Sequence, residues 1–434
     1  MEEKKATEAR QKAALVGLAR DSGDQEECQR SLCELERLLD TAGGVCEIRM
    51  IQIRPAPDVR TCIGRGKVAE LREICAEREI TLVVFDTELT PSQIRNLEEE
   101  LGEAEVIDRS MLILDIFAMH AVTGEGKLQV ELAQLRYTAP RLIGKGKTLS
   151  RLGGTIGTRG PGESQLERDR RHIHRRIEAL EAQLRSMEEN RATMRAARDR
   201  SGMPKVAIVG YTNAGKSTLL NCLTGAGVLS QDKLFATLDP TTRRLELPEK
   251  EYVLLTDTVG FIRKLPHHLI RAFRSTLEEA AYADILLLMV DATDPEAEEH
   301  LKVTEDLLAE LGAGDKPRLY VFNKCDLLES VPPAAKGREH VLFISAATGK
   351  GTDMLLHALL RIVREGHRRV RLRIPYDEQG KLHVVHESGR VEKIGYEETG
   401  IVVDAVLDPR GVGMLRKYIL PGEEWREHDA EHRI

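Results

Sequence analysis

The residues whose types and spacing bear most directly on chemistry are Gly210-Tyr211-Thr212-Asn213-Ala214-Gly215-Lys216-Ser217-Thr218, which fit the pattern G-x-x-x-x-G-K-S/T of a phosphate-binding loop. Glycines let backbone N–H groups close on phosphate oxygens, and a helix that begins at such a loop turns its positive dipole end toward them. Lys216 is placed to reach β- and γ-phosphates, and Ser217 to ligate Mg2+. The apolar run Val206-Ala207-Ile208-Val209 before the loop and Leu219-Leu220 after it supply the strand and helix that this geometry needs.

Three further motifs follow in order. Asp257-Thr258-Val259-Gly260 closes the apolar strand Tyr252-Val253-Leu254-Leu255, where an acid can hold Mg2+ through water and a glycine N–H can meet a γ-phosphate. Asn323-Lys324-Cys325-Asp326 closes Leu319-Tyr320-Val321-Phe322 and fits N-K-x-D. A carboxylate accepts two hydrogen bonds from the N1–H and 2-amino group of guanine, donors that adenine lacks, and Lys324 can lay its stem along the purine. Ser345-Ala346-Ala347, after the strand Val341 to Ile344, offers backbone groups to guanine O6. Four motifs at four strand ends point to GTP rather than ATP, on a doubly wound, mostly parallel sheet over residues 203–366.

Two residues qualify the chemistry. Phe261 follows Gly260, where Ras-like proteins use a glutamine to orient the attacking water; phenylalanine has no donor or acceptor for that work, so intrinsic hydrolysis is expected to be slow. Arg263 is a candidate arginine finger in cis, against a plain surface role, and Asn213 a candidate potassium ligand beside the phosphates.

The remaining elements must carry these loops. The 434 residues are 41% hydrophobic and 31% charged, the composition of a globular protein of several domains. No apolar run approaches the roughly 20 residues that span a bilayer, and Met1-Glu2-Glu3-Lys4-Lys5 does not open a secretory signal. Seven cysteines, an odd number without C-x-x-C pairing, read as reduced thiols of a cytoplasmic protein rather than a zinc site. Residues 1–123 read as an α/β domain. It has two helical pieces within 4–40 broken at Ser22-Gly23-Asp24, a strand from Val45 to Ile53, a helix over 66–79 and a buried strand from Thr81 to Phe85. A helix from Thr90-Pro91-Ser92, a strand at 104–107 and a helix near 109–120 complete it.

Over residues 124–202 the period changes. Leu128, Leu132, Leu135 and Leu142, then Leu166, Ile173, Ile177, Leu180, Leu184 and Met187, repeat as the seams of a coiled coil. Ser164-x-x-Glu167 is a capping box for the second helix. The pattern predicts an antiparallel helical hairpin, with a long helix packed flat on a neighbouring domain as the alternative. Its glycine-rich tip is 144–162, and residues 141–176 hold ten Lys or Arg against three acids, although the whole chain has a formal charge of −7. Lys145, Lys147, Arg151 and Arg159 are therefore expected to meet RNA phosphates, through backbone and shape because aromatic stacking residues are absent. Residues 367–434 read as a small α+β domain with strands near Val370 to Ile374, Val391 to Tyr396 and Ile401 to Val406.

With these residues in view, the chain closely resembles the HflX family of translational GTPases. The resemblance rests on the phosphate loop, Leu234-Phe235-Ala236-Thr237-Leu238-Asp239-Pro240-Thr241-Thr242-Arg243, Asp257-Thr258-Val259-Gly260-Phe261-Ile262-Arg263 and Gly157-Thr158-Arg159-Gly160-Pro161-Gly162-Glu163. It implies an N-terminal α/β domain with a helical hairpin, a central GTPase domain and a small C-terminal domain. It also implies binding to the large ribosomal subunit and its rRNA and dissociation of stalled or idle ribosomes; the chain is expected to be a monomer. The other readings are a nucleotide-gated RNA-binding cap on that subunit, or a GTPase of ribosome assembly or RNA modification. Phe235, Ala236, Thr237, Leu238 and Asp239 then join the nucleotide site, with Thr237 completing the Mg2+ shell; spacing alone leaves Thr237, Thr241 and Thr242 open.

Overall fold

The computed structural model describes residues 10–142, 165–200, 203–225, 234–235, 240–264, 266, 269, 279–328, 330, 332–365 and 367–426. The basic tip with Lys145, Lys147, Arg151 and Arg159, the segment Ala236-Thr237-Leu238-Asp239 and the cap residue Ser164 lie outside them.

Four short strands, Lys12–Ala19 (β1), Val45–Ile53 (β2), Leu82–Phe85 (β3) and Glu105–Asp108 (β4), form an all-parallel sheet in the order β2-β1-β3-β4. Helices Gln25–Thr41 (α1) and Arg109–His120 (α4) share one apolar cluster with Ala13 and Leu15; Arg65–Arg78 (α2) and Pro91–Leu101 (α3) share another with Ala14 and Val16. The sequence pattern gave a helix for the first half of residues 4–40, and the structure places β1 there instead. The reason is topological: an interior strand of a parallel sheet is buried on both faces, so its apolar run does not alternate, and Leu15 and Leu18 merely mimic a helical spacing of three. The start of α3 is as expected. Thr90 Oγ1 accepts from Gln93 N–H and the Gln93 side chain accepts from Thr90 N–H, a closed capping box before Pro91.

Helix Gly124–Thr138 (α5) lies against the 36-residue helix Gln165–Arg200 (α6). Leu180 is fully buried between them and their neighbours, while Arg176 with Glu131 and Arg136 with Glu181 bridge their surfaces. Exposed pairs of this kind contribute little, because water and salt screen them and two long side chains lose freedom in making them.

The second sheet comprises Lys205–Gly210 (β5), Thr241–Glu246 (β6), Tyr252–Asp257 (β7), Ile285–Asp291 (β8), Arg318–Asn323 (β9) and Val341–Phe343 (β10), in the order β10-β9-β8-β5-β7-β6. All neighbours are parallel except β6 and β7. Lys216–Thr224 (α7), Ala297–Glu310 (α8) and Thr352–Glu365 (α9) follow β5, β8 and β10. Parallel neighbours place the ends of β5, β7, β8, β9 and β10 on one edge, where ligands of open α/β sheets bind.

Arg368–Ile374 (β11), Gly389–Glu397 (β12), Gly400–Leu407 (β13) and Ile419–Arg426 (β14) make a third, antiparallel sheet ordered β12-β13-β11-β14, with its own core. The sequence pattern did not anticipate β14, because Pro421 and Gly422 read as a turn; at the sheet edge a proline forfeits no ladder bond. The first two domains, by contrast, share apolar packing. Phe117 of α4 meets Phe235 edge-on, with ring centroids 4.8 Å apart at 80°.

Candidate functional site

The phosphate loop leaves β5, whose residues Val206 to Gly210 are all buried, and enters α7, anchored by Leu219 and Leu220 at 0% exposure. Gly215 has φ +95°, and a methyl carbon on it would lie 2.3 Å from Asn323 Nδ2, so no other residue fits. Lys216 is buried, and its ammonium donates to the carbonyls of Tyr211 (2.8 Å) and Gly210 (3.2 Å). Burial lowers its pKa to about 8 in spite of the opposing charge of Asp257. Ser217 Oγ donates to Asp257 Oδ2 at 2.6 Å, and Asp257 is 0% exposed. Two adjacent hard oxygen donors, one of them a buried carboxylate, fit Mg2+.

The D-x-x-G segment is stitched to the loop. Thr258 Oγ1 donates to Ile208 C=O (2.7 Å), Phe261 N–H to Gly210 C=O (3.1 Å) and Thr212 N–H to Phe261 C=O (2.8 Å). Gly260 sits so close that a methyl carbon there would be 2.8 Å from Lys216 Nζ. Phe261 is 1% exposed and part of the apolar core.

Asn323 joins three motifs. Its Nδ2 donates to Ala214 C=O and its Oδ1 accepts from Ala346 N–H, both at 2.8 Å, so the phosphate loop, N-K-x-D and Ser345-Ala346-Ala347 are held at one fixed spacing. Lys324 has φ +64° and pairs with Asp291 at 2.5 Å; Asp326 is exposed, Ser345 and Ala346 buried and Ala347 exposed.

Comparison with known proteins reads the same way. Residues 29–118 match the family model described as GTP-binding GTPase N-terminal, 120–198 the GTP-binding GTPase middle region, and 205–324 the 50S ribosome-binding GTPase. The chain is 50% identical to GTPase HflX of Lacrimispora saccharolytica over 90% of this chain and 92% of that one. The chain belongs to the HflX family of GTPases. To GTPase HflX of Escherichia coli it is 42% identical, over 87% of this chain and 89% of that one. Among solved structures, a GTP-binding protein from the archaeon Sulfolobus solfataricus in complex with GDP is 26% identical with a TM-score of 0.42, covering 81% of this chain and 98% of that chain. Membership of the HflX family makes the chain a P-loop GTPase, a class that generally uses Mg2+. No helix among the described residues is long and apolar enough to cross a membrane.

In this HflX-family member the expected site residues that the structure describes gather at one sheet edge, with three exceptions in role. Phe235 is 3% exposed and its ring packs on Phe117 of the first domain. Arg263 is no free finger: its guanidinium pairs with Glu296 and Glu299 of the α8 region. Tyr211 does more than fill a loop position. Its ring stacks on His300, with centroids 3.7 Å apart at 12°, its hydroxyl donates to Glu34 of α1, and the same oxygen accepts from Arg263 N–H at 2.7 Å. Sequence reasoning missed Glu34, which meets this loop from the first domain, and Asp86 and Arg109, which meet Lys264 and the Arg263 carbonyl just after D-x-x-G. A signal existed. Asp86 directly follows β3 and Arg109 directly follows β4, the same strand-end placement that singled out Asp257 and Asn323.

Proposed function

We propose that this GTPase binds GTP and GDP through Gly210 to Thr218, Asp257 to Gly260, Asn323 to Asp326 and Ser345 to Ala347, with Ala236 to Asp239 beside the phosphates. Its nucleotide state governs attachment to the large ribosomal subunit, and bound to GTP it dissociates stalled or idle ribosomes into subunits. The observation that carries the nucleotide half is Asn323, which ties base-selecting and phosphate-binding loops through two 2.8 Å hydrogen bonds. The match of residues 205–324 to a 50S ribosome-binding GTPase supports the partner.

Lys216 and the N–H groups at the start of α7 take the β- and γ-phosphates, and Gly260 N–H meets the γ-phosphate. Ser217, Thr237 and, through water, Asp257 would hold Mg2+, which would supply positive charge to the transferring phosphoryl group. Asp326 accepts from guanine, and Lys324 covers its face. Phe261 contributes no polar group, so the water is oriented from outside the segment; Asn213 would hold a potassium ion, whose positive charge would stand in for that of a finger arginine. Lys145, Lys147, Arg151 and Arg159 at the hairpin tip bind rRNA phosphates.

The test is sedimentation of intact ribosomes with the protein and GTP, for the wild type and for a variant with those four residues changed to Glu, at two salt concentrations. Free subunits are expected with the wild type. In the variant, ribosome binding, stimulated hydrolysis and dissociation should fall together while GTP affinity stays, and wild-type binding should weaken steeply with salt as condensed counterions are no longer released favourably. A passive cap, or an assembly or modification GTPase, yields no free subunits.

A further inference from the structure

Strand β8 ends at Asp291, which stands opposite Asn323 at the end of β9 in the parallel register. The two carboxylate oxygens of Asp291 have different partners. Oδ1 turns back on its own chain and accepts from Thr293 N–H (3.0 Å) and Thr293 Oγ1 (2.7 Å), closing the turn that leads toward α8. Oδ2 reaches across to the ammonium of Lys324 at 2.5 Å. The backbone runs the same way, since Ala292 N–H donates to Asn323 C=O at 3.0 Å. The side chains of the pair are 20% and 30% exposed, so water and salt screen it only in part.

Lys324 needs such a holder. Its φ of +64° lies in the left-handed region, which an L-residue keeps only where the contacts around it over-determine the conformation. Its charge also sits on a flexible four-carbon stem, and to cover the face of a purine that stem must be kept in one arrangement out of many. With the ammonium fixed at the far end by Asp291, the stem is ordered before a nucleotide arrives, and binding does not have to order it. Contact with the face of a base carries no information about its edge, which is left to Asp326.

We infer that Asp291 is a positioning residue of the guanine site: its Oδ2 holds Lys324 in the arrangement that covers the purine, which raises affinity for diphosphate and triphosphate alike and leaves the choice of base unchanged. The inference rests on the nucleotide-site reading above and extends it to a residue outside the four motifs.

The test is calorimetric titration of the full chain with GDP, a non-hydrolysable GTP analogue and inosine diphosphate, whose base lacks the 2-amino group. The chains compared are the wild type, Asp291→Asn, Lys324→Met and the double variant. Asparagine keeps an oxygen for the Thr293 turn and removes only the charge that Lys324 meets. In Asp291→Asn, affinity for all three nucleotides should fall by one factor, roughly 2- to 13-fold, the equivalent of ordering one long side chain on binding. Added to Lys324→Met, whose stem has no ammonium to hold, the same change should have no further effect. A residue that serves the turn alone gives another pattern: wild-type affinity in Asp291→Asn, or a loss that is the same with and without the Lys324 ammonium. Either result, or a changed ratio of guanosine to inosine diphosphate affinity, overturns the inference, and the first and last need only Asp291→Asn to fold. Wild-type protein that binds neither GDP nor the analogue overturns the site reading itself, whereas normal wild-type binding with an unaffected Asp291→Asn overturns the positioning role alone.

Discussion

Replacing Asn323 by Ala removes a side chain that is 3% exposed and makes two 2.8 Å hydrogen bonds, to Ala214 C=O and from Ala346 N–H. Each bond contributes about 1 kcal/mol net, but their loss also strands a carbonyl and an amide beside residues that are 1% and 4% exposed, at about 1–3 kcal/mol apiece. Taken at the low end of each, the total is about 4 kcal/mol, which read entirely in binding corresponds to a roughly 1,000-fold loss of affinity. Neither bond touches the γ-phosphate position, so GDP and a GTP analogue should lose equally. Any part of the cost already borne by the free protein appears instead as a lower melting temperature. Fluorescent-nucleotide titration and thermal unfolding of the same preparation read both shares. GDP affinity within threefold of wild type together with an unchanged melting temperature would refute the idea that Asn323 is the spacer between loops, and a loss confined to the triphosphate would contradict its placement away from the third phosphate.

Asp326→Asn should lower GTP affinity at least 100-fold and favour xanthosine triphosphate, whose 2-oxo group accepts where guanine donates; competition binding with the two nucleotides decides it, and retained GTP binding would exclude the assignment. Steady-state hydrolysis by the isolated protein should be faster in potassium than in sodium buffer if Asn213 holds the ion, and equal rates remove that role. Burial pushes the Asp115 carboxyl up to about 6, only partly countered by a 3.2 Å hydrogen bond from Gln134. Because the folded value lies above the unfolded 3.8, the benefit of the neutral form is complete below pH 4 and lost as pH rises through 6. Asp115→Asn should therefore stabilise the protein by up to about 3 kcal/mol at pH 7.5 and by nearly nothing at pH 4; thermal unfolding that shows the same difference at both would contradict the burial argument.

How much of this was legible depended on whether the information was local. The phosphate loop, the capping box at Thr90 and the strand ends at Asp257 and Asn323 announce themselves within a few residues, because backbone geometry and ligand chemistry constrain neighbours in sequence. The strand Lys12–Ala19 did not, since its meaning comes from lying between two neighbours whose sequences are far away. Arg109 is the sharper case: its partners are Glu34, Asp86 and the carbonyl of Arg263, 75, 23 and 154 residues distant, and no periodicity encodes such a meeting. The Tyr211 hydroxyl was hidden differently, because a phosphate-loop pattern treats its position as arbitrary.

Phe117 against Phe235 belongs to a continuous apolar cluster that runs from Leu15 and Leu35 of the first domain to Phe261 and Leu288 of the second, whereas the cluster around Leu372 and Val403 in the third stands apart. Modularity therefore does not follow the spacing of motifs along the chain. A cut near residue 367 divides the chain where no shared core is severed. A cut near 203 leaves two oily halves, each seeking a new cover, so that in evolution and in the test tube the first two domains are expected to be inherited, folded and lost as one piece.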